Sequence, residues 1–325
     1  MSSIPLEFCI SGPALDVFVN QIAFELACVH GEINHFQDEV PRMALYPPCR
    51  PLLEAISAVG STRLNTYDSK PPSYFARAAI TSLLTALQKG SSDYDDTHLA
   101  TALVLKMFVA NSGLNFETVA ATTFNTIIGR YRQEGKVTPR TKLLLRWYLR
   151  YELITARSPP CYTGATKTVE CILTKSPSIS EADHVLPVRP DILFIICRLG
   201  TILKTPLNTK TGPQRDRLIT DLRLARTIQG ELLPHLPTAS ALIACNLAFA
   251  YTARFLHQRA DFDSADQSDS VVDRVLNPIL DIVYKVPVGN TALHTILLWP
   301  VFQVGLSAKV RSTRRYPRTL FQHEK

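Results

Sequence analysis

The chain has 325 residues, 46% of them hydrophobic and 19% charged, and its 35 Lys and Arg against 28 Asp and Glu leave a formal charge of +7. That apolar content excludes a wholly disordered chain, and the length allows one large domain or two small ones with a substantial core. Thirteen glycines against 22 prolines suit proline-punctuated helices better than a sheet of many glycine turns.

Taken in chain order, almost every long segment reads as helix. Leu15, Phe18, Val19, Ile22 and Leu26 recur at three- and four-residue spacing, one apolar stripe. The proline-rich run Tyr46 to Pro51 breaks the chain before a second stripe, Leu52, Leu53, Ile56, Val59 and Leu64. After a break at Asp68 to Pro72, a third stripe runs through Phe75, Ala79, Ile80, Leu83, Leu84 and Leu87, with Gly90 as its expected stop. In residues 95–110 the apolar positions surround the whole helical cylinder, which predicts an internal helix. Residues 292–308 show the same pattern, with a kink expected at Pro300. Further helices are expected over 115–133, 138–156, 190–204, 213–234, 238–260 and 268–285, with Pro139 and Pro190 at starts. Residues 157–188 read as a long loop and 261–269 as a shorter acidic one. Internal helices flanked by one-faced ones predict an all-α fold, a single large multi-layer domain of about ten helices.

The seven cysteines include no CxxC, and the closest pair, Cys161 and Cys171, is ten apart. Neither a zinc module nor a disulfide scaffold is expected, and a reduced intracellular setting is. Met1 to Glu7 has no basic-then-apolar leader pattern, and the richest apolar stretch, 292–308, is too interrupted for a membrane span. Catalytic signatures such as GxSxG, the P-loop, GxGxxG and HExxH do not occur. The expectation is a non-enzyme, with no catalytic, metal or cofactor residues. Asp93, Asp95 and Asp96 form the one acidic cluster that would suit metal-diphosphate chemistry of a terpenoid-type helical enzyme. They also stand where a helix start favours negative charge. His98 and His294 lie within apolar helices and read as hydrogen-bonded core residues.

Positive charge is concentrated in two places. Around residues 130–157, eight Lys and Arg face only Glu134 and Glu152. At about 100° per residue, Lys142, Arg146 and Arg150 share one helix face, opposite Leu144 and Tyr148. That face reads either as a solvated surface or as a basic interaction surface. Arg311, Arg314 and Arg315 form the second cluster, an import or nucleic-acid patch or a solvated end.

Three stretches resemble one known family. They are Phe18 to Ala23 followed by Pro51 to Gly60; Tyr74 to Leu87 followed by Asp96 to Leu105; and Leu297-Leu298-Trp299-Pro300-Val301-Phe302-Gln303-Val304-Gly305. Together they resemble the fungal-specific transcription factor domain, the helical regulatory region usually found beside a binuclear zinc-cluster module. The resemblance covers roughly residues 14–316, leaving 1–13 and 317–325 as tails. It implies a transcriptional regulator of the fungal nucleus. Because the six-cysteine pattern of a zinc cluster is missing here, it implies action through a transcription-machinery or DNA-binding protein partner rather than direct DNA binding. A small-molecule effector and a homo- or heterodimer remain open, and no membrane partner is expected. The alternatives are the helical enzyme and a cytosolic helical scaffold.

Overall fold

The computed structural model describes residues 12–27, 34–64, 70–88, 96–112, 138–155, 185–204, 212–232, 241–261, 269–286 and 291–305. Every regular element among them is helical, with one isolated bridge between Leu45 and Pro48, so the all-α expectation is borne out. The elements are α1 (Gly12–Val17), a π turn (Phe18–Ile22), α2 (Ala23–Leu26), α3 (His35–Leu45), α4 (Arg50–Ser61), α5 (Pro72–Gln88), α6 (Asp96–Ser112), α7 (Pro139–Thr155), α8 (Pro190–Lys204), α9 (Gly212–Leu232), α10 (Ala241–Asp261), α11 (Asp269–Lys285) and α12 (Thr291–Gly305). Proline stands at the first or second position of α4, α5, α7, α8 and α9, where its missing N–H costs nothing. The chain gathers into two compact units, Met1–Tyr148 and Leu149–Lys325. The helix expected over 115–133, the C-cap at Gly90 and the tail arginines lie outside the described residues, as do the acidic loop's 262–268 and most of 157–188.

In the first unit, α4 is the centre, packed by α1, α5 and α6. Leu52, Leu53, Ile56 and Val59 are buried as the stripe predicts, but so are Ala55, Ser57, Ala58, Gly60 and Ser61. Small residues let neighbouring backbones close in. A methyl group built on Gly60 would lie 2.0 Å from the Ala14 carbonyl oxygen of α1. The hydroxyls of Ser57 and Ser61 have no hydrogen-bond partner among the described residues, a cost of that tight contact. The π turn shifts the buried face of the opening segment. Ala14, Val17, Phe18, Ile22 and Ala23 are buried, while Leu15, Val19 and Leu26 are half-buried.

Helix α3 escapes the sequence reading because Pro41 sits inside it. Asn34 secures its start: Oδ1 accepts from the Phe36 N–H at 3.1 Å, and Nδ2 donates to the Ala23 carbonyl at 3.0 Å. Helix α6 is internal as predicted, with Leu99, Leu103, Val104, Leu105, Met107 and Phe108 all buried.

In the second unit, α10 is the centre, packed by α8, α9, α11 and α12. Its run Ala244 to Ala250 is buried throughout. Phe249 stacks on Trp299 of α12 with centroids 5.5 Å apart and planes 5° from parallel. Helix α12 is less enclosed than its composition predicts, since Phe302 is 45% exposed. It continues through Pro300.

Candidate functional site

The predicted basic face belongs to α7, so the site is built from that helix's start. Thr138 and Thr141 cap it reciprocally. The Thr141 N–H donates to Thr138 Oγ1 at 3.0 Å, and the Thr138 N–H donates to Thr141 Oγ1 at 3.3 Å. Both hydroxyls then donate to the Asp96 carboxylate, at 2.8 and 2.6 Å. Asp96 is the first residue of α6, so one carboxylate serves two helix N-termini, each favouring negative charge. The helix-start reading of Asp96 therefore holds. Asp93 and Asp95 lie outside the described residues, among which no group of three or more acidic, His or Cys side chains is placed to hold a metal ion. Asp96→Ala is expected to cost about 1–2 kcal/mol, by loss of two charge-assisted hydrogen bonds. A urea titration checks this, and Asp96→Asn, which keeps the acceptor oxygen, is expected to recover part of the loss.

Further along α7, Phe36 of α3 meets Trp147 edge-on at 5.0 Å, and the Lys106 ammonium of α6 lies 4.9 Å from the Tyr148 ring centre. These contacts decide which side of α7 turns inward. Arg146 is only 8% exposed and Arg150 only 5%, and both are engaged by other groups of the chain. Lys142 is half-buried. Arg140 pairs with Glu39 of α3 at 3.0 Å. Thus Lys142, Arg146 and Arg150 share a helix face, as the angles predict, but Arg146 and Arg150 do not form an open basic surface. Arg311, Arg314 and Arg315 lie outside the described residues.

Polar junctions in the second unit gave no signal in the sequence beyond a polar residue within an apolar run. Asn246 is one, 3% exposed in the second turn of α10. Its Nδ2 donates to the Pro187 carbonyl at 3.0 Å and the Leu242 carbonyl at 2.8 Å, while Oδ1 accepts from the Arg189 N–H at 2.6 Å. Asn246 thereby holds the buried, non-helical stretch Val185 to Val188 before α8. Arg189 pairs with Asp191 and Glu231. Burial alone would lower its pKa, but the hydrogen bonds and charges of those carboxylates hold it above the usual arginine value. Arg198 of α8 grips Asp221 of α9 with two hydrogen bonds, at 3.0 and 2.6 Å. The pairs with Glu231 and Asp221 join α8 and its lead-in to α9. No helix among the described residues is long and apolar enough to cross a membrane.

Every regular element among the described residues is helical, and several of their charges join one helix to another. The family model described as "Fungal specific transcription factor domain" matches residues 13–323. The chain belongs to that family, and so to a group of transcription regulators whose setting is generally the nucleus. No curated protein matches the chain, and no solved structure does.

Proposed function

We propose that this chain is a regulatory region that alters transcription in the fungal nucleus through protein contacts. The observation that carries the reading is the family match, which runs across almost the whole helical sequence. The seven cysteines include no closely spaced pair, so in this reading the contact with DNA belongs to a different module or a partner protein. The tail cluster Arg311, Arg314 and Arg315 serves nuclear import. No catalysis is assigned to the chain.

Fusing the chain to an unrelated DNA-binding module beside a reporter gene tests the proposal in a fungal cell. Reporter output is expected to change at least threefold in either direction, relative to the module alone. Unchanged output, together with unchanged transcript levels on deleting the gene, would sink the reading. Fluorescence imaging tests the tail separately: with Arg311, Arg314 and Arg315 all replaced by alanine, nuclear signal is expected to fall. Equal nuclear signal removes the import role and leaves the regulatory one standing.

A further inference from the structure

Helices α9 and α10 pack together within the second unit, with half-buried Arg254 at their seam and exposed Arg226 on its α9 flank. Arg254 of α10 donates through Nη1 to Gln229 Oε1 of α9. Gln229 is buried, and Arg226 precedes it by one turn. Side chains three residues apart on a helix are neighbours, with Cβ atoms about 5–6 Å apart. The bond to Gln229 therefore carries the Arg254 guanidinium toward the side of α9 on which Arg226 stands, exposed. Tyr251 precedes Arg254 by one turn on the same side of α10 and is half-buried. Gly230, one turn beyond Arg226, faces open space, with nothing within 4 Å of where a methyl group would stand.

Two other arginines described in this unit do close on carboxylates, Arg189 on Asp191 and Glu231, and Arg198 on Asp221. At the α9–α10 seam, among the described residues, neither Arg226 nor Arg254 reaches a carboxylate. Burial, and after it the positive charge of Arg226, lowers the Arg254 pKa. Two guanidiniums of like charge thus flank one seam, with no carboxylate paired to either among the described residues. Gln229 neutralises nothing; it fixes the direction of one of them. Such a pair is matched in charge and shape by a dianionic tetrahedral group, because each planar guanidinium offers two parallel donors to two oxygens.

We propose that the seam between α9 and α10 binds a phosphate monoester, held between Arg226 and Arg254 with the Tyr251 hydroxyl at its edge. Such an ester is carried both by a small phosphorylated metabolite and by a phosphorylated serine of a protein, and two probes separate these sources. Glycerol phosphate and a short phosphoserine peptide are titrated against the full chain at constant ionic strength, with sodium chloride as the control. Binding is read from thermal unfolding and from phosphorus NMR line width. Saturable binding is expected for at least one probe. A phosphoserine peptide at least tenfold tighter than glycerol phosphate assigns the site to a protein partner; equal or weaker peptide binding assigns it to a small ester.

Arg226→Gln is expected to weaken either probe at least tenfold. Lys70→Gln, the same charge loss in the first unit, should leave binding unchanged. Without ligand, Arg226→Gln should unfold at the same or a higher temperature than the parent, since it removes repulsion from an exposed position. Binding no better than the chloride effect, or equal binding in Arg226→Gln, overturns the proposal.

Discussion

Gly60→Ala is expected to destabilise the first unit by about 3 kcal/mol. On propensity alone the change should stabilise α4, because alanine is the better helix former by about 1 kcal/mol. Contact reverses the sign. The new methyl would lie 2.0 Å from the Ala14 carbonyl oxygen and 2.7 Å from its carbon. Those are backbone atoms, so no side chain can swing away, and α1 must lift from α4. Gly230→Ala is the matching control, since its methyl meets nothing within 4 Å. It should stabilise α9 by about 0.5–1 kcal/mol. The two tryptophans, Trp147 and Trp299, fall one in each unit. With Trp299 replaced by phenylalanine in parent and variant alike, Trp147 fluorescence reports the first unit. A urea midpoint for Gly60→Ala equal to or above its parent's would refute the close approach.

Asn246→Ala carries the second large effect, a loss of about 2–4 kcal/mol. Alanine fits a helix well, so the cost comes from the partners left behind. The Pro187 carbonyl and the Arg189 N–H would lose their bonds beside α10. Asn246→Asp should be no better, because a carboxylate cannot donate to the Pro187 carbonyl and brings an uncompensated charge into a buried position. With Trp147 replaced by phenylalanine in each protein, Trp299 reports the second unit. A midpoint for Asn246→Ala within about 0.5 kcal/mol of its parent would show that the amide does not hold the stretch before α8.

Among the described residues, helix existence is legible wherever periodicity is strong. Residues 190–204 and 138–156 were read almost to the residue, and the all-round apolar pattern of 95–110 correctly placed α6 inside. Helix α3 was not legible, because an interior proline reads as a stop and its cap, Asn34, is recognisable only by its bond to Phe36. The basic face of α7 shows a deeper limit. A helical wheel tells which residues share a side, not which side the neighbours cover. Long arginine stems carry enough apolar length to be enclosed, and Trp147 and Tyr148 make contacts that turn α7 inward. The seam of Arg226, Gln229 and Arg254 was illegible for a related reason. It joins residues 25 positions apart, and nothing in local spacing marks them as neighbours.

The π turn at Phe18–Ile22 bears on how this protein tolerates changes in chain length. A π turn lets an otherwise α-helical segment absorb an additional residue. Removing one residue from 18–22 therefore relaxes the segment toward an ordinary helix and preserves its continuity. In α4, where residues from Leu52 to Ser61 are enclosed except for a half-buried Glu54, a deletion has no such slack. Every later side chain would rotate by about 100°, carrying Gly60 away from Ala14. Length variation in the first unit is thus permitted at its opening helix and forbidden at its central one.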